Sequence, residues 1–255
     1  MMESRRAQPA SAKAGYSTSP KNAMVLAAGL GKRMRPITDT MPKPLVKIAG
    51  KTLLDRSLDM LAAAGVEKAV VNVHHFPDQI VRHVASRSAP KIVISDESAG
   101  LLDSAGGIVR ALPQLGSEPF YILNADTFWI DSGRSNLERL ALAWDPAEMD
   151  ILIMLAEIES TTGHSGGTDF LLAASGRLAR SKGLPEGLIY AGAAIVEPRI
   201  FAGASAAPHS LNLYFDRAIA EGRLYGMRME GHWITVGTPG AIPLAEQAVT
   251  HAMKP

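Results

Sequence analysis

The sequence predicts an α/β protein built on a doubly wound, mostly parallel sheet. Three observations carry this. Short β-branched or apolar runs recur at intervals filled by helix-period stretches, and the first run ends in glycine. A chain of 255 residues, 47% apolar and 20% charged, is long enough to bury a sizeable core. No stretch approaches the length of a membrane span.

The elements follow in order. Asn22 to Ala28 is an apolar run stopped by Gly29 and reads as a buried first strand. Leu54, Leu58 and Leu61 have helical spacing, so Thr52 to Ala64 is expected to be a helix with Gly65 just past its end. Lys68 to Val73 reads as a second strand, Pro77 to about Ser88 as a helix, and Lys91 to Ser95 as a third strand. Ile108 to Leu112 belongs to a helix starting near Ser104, which would serve as its N-cap, and Pro119 to Leu123 is another buried strand. Strands alternating with helices imply right-handed βαβ crossovers.

After about residue 145 the rhythm changes. Asp150–Glu157, Asp169–Ala174, Leu188–Val196 and Leu224–Met229 read as strands without full helices between them, so this half should add antiparallel strands and a lid over one end of the sheet. A last helix follows Gly237–Gly240 and runs to about His251. The expected organisation is an extension over residues 1–20 and a single domain over 21–255, with halves at about 21–145 and 146–255.

Formal charge is +1, which disfavours a nucleic-acid partner, since neutralising a phosphate backbone takes a basic excess. Cysteine is absent, excluding disulfides, thiolate nucleophiles and Cys-ligated metals, and suiting a cytoplasmic location. The seven histidines show no zinc-ligand spacing. Residues 1–20 lack the apolar core of a secretory signal; their Ser-rich, basic character would also suit a transit peptide, but a plain extension is the simpler reading.

The chemistry begins after the first strand. In open parallel sheets, ligands bind at the carboxyl ends of strands. Gly29 and Gly31 there let backbone N–H groups approach anionic oxygens. Met34 breaks the Gly-x-Gly-x-x-Gly pattern and no Gly-Lys-Ser/Thr follows, so the dinucleotide and Walker readings fail on spacing. Lys32, Arg33, Arg35 and Lys43 are opposed only by Asp39. Such a cluster is either a solvated loop or a phosphate grip, and its place behind a buried strand favours phosphate. Phe120 to Asp126 is an apolar strand ending in Asn124 and a carboxylate, a fitting place for Mg²⁺ or simply a turn aspartate.

Leu26 to Thr38, with Met41-Pro42-Lys43-Pro44-Leu45, resembles the signature of the sugar-1-phosphate nucleotidyltransferases. The resemblance implies their nucleotide-diphospho-sugar transferase fold, Rossmann-like with a sugar-binding second half. It places the NTP on Ala27, Ala28, Gly29, Gly31, Lys32 and Arg33, with Arg33 and Lys43 catalytic, Lys43 on the α-phosphate, and Asp126 holding Mg²⁺. Leu101 to Ile108 is similar to the base-recognition element, implicating Asp103, Gly106 and Gly107 and looking most like the N-acetylmuramate-1-phosphate uridylyltransferases. Asn124 would contact the sugar or ribose. His164 to Phe170 and Tyr190 to Ala193 resemble the sugar-facing segments, implicating Asp169 and Gly192.

Gly231 to Pro239 resembles an element whose second metal-binding Asp is replaced here by Thr235. Three readings stand: Asp126 with phosphates and water suffices, another acid swings in, or catalysis is lost and binding kept. The implied reaction joins UTP to N-acetylmuramic acid α-1-phosphate for cell-wall recycling, in a monomer or small homo-oligomer. The alternatives are a mannose-1-phosphate guanylyltransferase and a catalytically silent nucleotide-sugar-binding protein.

Overall fold

The structure is a computed structural model, and it describes residues 19–252. Of the extension read over residues 1–20, residues 1–18 lie outside the described part; Ser19 already bonds the Tyr121 hydroxyl at 3.1 Å.

The chain runs β1 (Asn22–Leu26), a hairpin of β2 (Lys47–Ile48) and β3 (Lys51–Thr52), then α1 (Leu53–Ala63), β4 (Lys68–Val73), α2 (Pro77–Val84) and β5 (Lys91–Asp96). There follow α3 (Asp103–Leu115), β6 (Phe120–Asn124), β7 (Thr127–Asp131), α4 (Asn136–Ala143), β8 (Ile151–Ala156), β9 (Thr161–Thr162), β10 (Phe170–Leu172) and β11 (Leu178–Arg180). The last elements are β12 (Ile189–Val196), α5 (Asn212–Ala220), β13 (Leu224–Arg228), β14 (Gly231–Thr235) and α6 (Ala241–Ala252).

Seven strands form the main sheet in the order β13-β8-β12-β6-β1-β4-β5. β6, β1, β4 and β5 are parallel, with Val25 opposite Val71 and Leu26 opposite Asn124. The second half adds antiparallel strands as expected: β10 pairs with β11, β14 with β7, and β12 lies reversed in the main sheet. β13 is parallel to β8, and β12 alone is antiparallel to both neighbours, β6 and β8. The reason is the connection. After β8 the chain goes out through β9, β10 and β11 and comes back into the sheet at the end where it left, so β12 runs antiparallel to β8.

Alternation along the strands splits the core. Val25, Val71, Leu123 and Ala193 face α1, α2 and α4, while Met24, Ile122 and Ala194 face α3 and α5. Leu54, Leu58 and Leu61 of α1 are fully buried, each worth about 1.5–3 kcal/mol of transfer free energy. A third core joins Phe128 and Ile234 of the small sheet β7-β14-β9 to α6 and to Met34.

Helix ends follow local chemistry. Thr52 caps α1 by accepting from the Asp55 amide at 3.0 Å, and Gly65 has φ +78° beyond its end. α2 stops at Val84 rather than near Ser88; Arg87 beyond it turns back to Asp55 and Asp59, and Pro90 disfavours helix at Ala89. Ser104 is not the N-cap of α3, since its hydroxyl accepts from the Leu211 amide at 2.8 Å. The strand read at Asp169–Ala174 narrows to β10, ended by the turn at Gly176. β7, α4 and α5 are not among the expected elements. Among the described residues no helix is long and apolar enough to cross a membrane.

Candidate active site

The carboxyl ends of β1, β4 and β6 open into one cavity of about 260 Å³, lined by Leu26, Ala27, Ala28, Gly29, Lys43, Asn72, Leu101, Asp103, Ser104, Asn124 and Asp126. Two further cavities adjoin it. One shares Gly29, Lys43 and Asp126 with it and adds Gly31, Lys32, Arg33 and Gly237. The other shares Leu26, Ser104 and Asn124 and adds Asp169, Phe170, Arg180, Tyr190 and Phe215. A cationic chamber, a central chamber and a chamber from the second half therefore form a continuous trough.

Three short 3-10 turns, at Lys32–Met34, Ile37–Asp39 and Lys43–Leu45, shape the cationic end. Met34 is fully buried, which leaves its neighbours Lys32 and Arg33 exposed on the rim. Neither Lys32 nor Arg33 has an ion pair among the described residues, so two positive charges stand ready for an anion. The Arg33 guanidinium lies beside Gly237, where an added Cβ would be 3.8 Å from it. Gly29 has open space where a side chain would project.

Gly31 is held differently, at φ +61°, with its carbonyl accepting from the Thr38 hydroxyl at 2.9 Å. An added Cβ would stand 2.8 Å from Thr38 Cγ2. Gly31→Ala is therefore expected to cost about 1–2 kcal/mol of stability and to weaken NTP binding. A melting temperature and nucleotide affinity both equal to wild type would refute this account of the loop.

At the junction of the chambers the Lys43 ammonium donates to Asp126 Oδ2 at 2.8 Å. Lys43's side chain is 10% exposed and Asp126's 41%, so the lysine is pinned and the carboxylate reaches into the cavity. Asp126 sits in the two-residue turn between β6 and β7. Its backbone is held there, the Ala125 amide donating to Leu26 O and the Val236 amide to Asp126 O, both at 3.1 Å.

Several sequence-derived assignments move. Ala27, Ala28, Gly29, Gly31, Lys32, Arg33, Lys43, Asp103, Asn124, Asp126 and Asp169 line the trough. Gly106, Gly107 and Gly192 do not. A Cβ at Gly106 would meet Ala207 O at 2.3 Å, and one at Gly107 would meet Glu97 Oε1 at 2.6 Å. Gly192 forms the bulge of β12 at φ +77°, where a Cβ would press on Thr127 and Asn124. At these glycines the space a side chain would take is filled by neighbouring protein atoms. Thr235 pairs with Thr127 across the β14–β7 ladder and lines no chamber of the trough, so its assignment as a metal ligand is not carried by its position.

The structure adds residues that sequence reading missed. Asn72, 2% exposed, is a polar residue in a β-branched run, and its Oδ1 accepts from the Ala27 amide at 2.6 Å. Arg180 stacks on Phe170 at 4.7 Å, bonds Asp216 at 2.8 Å, and lines the second-half chamber. Tyr190, whose amide donates to Asp169 Oδ2 at 2.9 Å, lines it too, and burial pushes its hydroxyl pKa upward.

A mostly parallel sheet carries a glycine loop, two cations without ion pairs among the described residues and a facing carboxylate at its strand ends, an arrangement suited to a nucleotide-binding α/β protein. The chain belongs to the MobA-like NTP transferase domain family, whose model matches residues 23–208. It is 45% identical to the N-acetylmuramate alpha-1-phosphate uridylyltransferase of Caulobacter vibrioides, over 92% of this chain and 100% of that one. It is 35% identical to the enzyme of that name from Neisseria meningitidis serogroup B, over 85% and 93%. A probable mannose-1-phosphate guanylyltransferase of Arabidopsis thaliana is 27% identical, over 85% and 62%. Among solved structures, the inositol-1-phosphate CTP transferase of T. maritima shares the fold, with TM-score 0.76, 17% identity, and coverage of 92% and 97%.

Proposed function

We propose that the chain transfers a uridylyl group from UTP to N-acetylmuramic acid α-1-phosphate, giving the UDP-sugar and pyrophosphate. The observation that carries it is the continuous trough, in which the central chamber shares Gly29, Lys43 and Asp126 with the cationic chamber on one side and Leu26, Ser104 and Asn124 with the second-half chamber on the other. An oxygen of the sugar phosphate attacks the α-phosphorus of UTP in line, and the bond from that phosphorus to the bridging oxygen of pyrophosphate breaks. The nucleophile needs no general base, because a phosphomonoester loses its second proton near pH 6. Lys43 orients the α-phosphate; Lys32, Arg33 and the backbone around Gly29 and Gly31 receive the β- and γ-phosphates.

The donor set fits Mg²⁺. Asp126 offers a part-exposed hard-oxygen carboxylate beside the phosphate chamber, and Mg²⁺ commonly takes one or two protein carboxylates together with phosphates and waters. Bound there, the ion would neutralise charge on the phosphates. This favours the reading in which Asp126 suffices without a second acid at Thr235.

Arg180 favours muramate over a neutral sugar. Muramic acid carries a lactyl carboxylate, and Arg180, although paired with Asp216, is the cation among the residues lining the second-half chamber, which Asp169 also lines. Arg180→Leu is expected to raise KM for N-acetylmuramic acid 1-phosphate by about 10–100-fold while leaving that for N-acetylglucosamine 1-phosphate within twofold. Equal effects on both sugars would remove this role.

The governing experiment is pyrophosphate release over a panel of NTPs and sugar 1-phosphates. Fastest turnover with UTP and the muramate is expected. Product only with GTP and mannose 1-phosphate would establish the guanylyltransferase reading instead, and NTP binding without turnover for any pair would mark a silent binder. The site lies in a chain expected to work in the cytoplasm, as a monomer or small homo-oligomer.

A further inference from the structure

We infer that Glu97 is a positioning residue that sets the spacing between the two walls of the nucleotide chamber. The inference rests on the nucleotidyltransferase reading of that chamber. Glu97 follows β5 and is 1% exposed, yet no lysine or arginine pairs with it among the described residues. A buried carboxylate without a cation is costly unless its oxygens are satisfied. Here each oxygen takes a donor. Oε1 accepts from Asn72 Nδ2 at 2.7 Å, and Oε2 accepts from the Leu102 amide at 3.1 Å.

The chain of contacts runs straight across the site. The Ala27 amide, at the start of the phosphate loop, can only donate, so it fixes Asn72 with its oxygen toward Ala27 and its amide nitrogen toward Glu97. Glu97 then holds Leu102, next to the cavity-lining Leu101, Asp103 and Ser104. One buried Asn–Glu pair thus links the loop that would take phosphates to the segment that would take the base. The carboxylate's own backbone is clamped as well, its amide donating to Val73 O at 2.8 Å and its carbonyl 2.8 Å from His74 Nδ1. Gly107 completes the device. A Cβ there would lie 2.6 Å from Glu97 Oε1 and 2.8 Å from Asn72 Nδ2, so glycine is what lets α3 close over the pair.

Only a carboxylate satisfies both donors. A glutamine has one acceptor oxygen, so Glu97→Gln must set its NH₂ against either the Leu102 amide or the Asn72 amide. The base-side wall loosens while Gly29, Gly31, Lys32, Arg33 and Lys43 keep their places. The test is equilibrium binding of two probes to the full chain, UTP and inorganic tripolyphosphate, each with Mg²⁺. Glu97→Gln is expected to weaken UTP about tenfold and to leave tripolyphosphate within twofold. Gly107→Ala, which presses on the same pair without removing it, should show the same selective loss and guards against misfolding of the first variant. Equal weakening of both probes, or no weakening of UTP, overturns the positioning role. Failure of the wild-type chain to bind either probe would instead sink the nucleotide reading of the chamber.

Discussion

Asp126→Asn is expected to lower kcat by at least about 10³-fold, the largest effect of any single change in the trough. The substitution keeps shape. The Asp126 backbone is fixed by the Ala125–Leu26 and Val236–Asp126 bonds, and an asparagine oxygen can still accept from the Lys43 ammonium. The change removes the negative charge that would hold Mg²⁺ beside the phosphates. Stability should fall by only about 1 kcal/mol, because Lys43 keeps an acceptor. Pyrophosphate release across a Mg²⁺ titration measures the effect. Turnover within tenfold of wild type at every Mg²⁺ concentration would show that Asp126 is not the metal residue.

Lys43→Met should lower kcat/KM by about 10²–10³-fold, in line with removing one preorganised charge from a transition state. Methionine keeps most of the stem that packs in the 3-10 turn at Lys43–Leu45, so the loss reports the ammonium. The converse strain is small. Asp126, left unpaired, is 41% exposed and stays hydrated, so stability should change by no more than about 1 kcal/mol. The pair is therefore asymmetric, a buried cation held by a carboxylate that solvent can reach. Steady-state kinetics with UTP varied, together with thermal melts, separates the two quantities. A rate near wild type would move the α-phosphate contact elsewhere.

The part of the site most legible in sequence is the part built from strand ends. Asn22–Leu26 and Phe120–Asn124 are buried apolar runs, and residues just past such a run in a parallel sheet face the ligand edge. Gly29, Gly31 and Asp126 are legible for that reason, and Lys43 through the basic cluster and its Pro-Lys-Pro-Leu element. Gly106, Gly107 and Gly192 line none of the three chambers, for a single reason. A missing side chain makes room equally for a ligand or for protein, and the sequence letter does not distinguish Ala207 O from a nucleobase. Antiparallel strands after about residue 145 are legible from the loss of full helices between them. That β12 is the one reversed in the main sheet depends instead on how the chain returns after β8, a property of connection rather than of the strand's own residues.

Other features carry a sequence signal that went unread. Leu211, Tyr214, Phe215 and Ala218 have the i, i+3, i+4, i+7 spacing of an amphipathic helix, and they are the buried face of α5. Asn72 stands out as an amide inside a β-branched run. Arg180 gives no signal, because β11 is three residues long and a charge there reads as solvated.

The position of β12 bears on how such proteins can be recombined. This strand comes from the second half of the chain but lies between β8 and β6, and its bulge at Gly192 rests on Asn124. The two halves are thus not exchangeable cassettes. A chimera that took its sugar end from a different relative would also change the strand zipped to Phe120–Leu123, all at most 1% exposed. A mismatched graft would leave that edge bare, and bare apolar edges recruit other chains. New sugar preference is more readily engineered at single chamber residues such as Arg180 than by shuffling at the midpoint of the sequence.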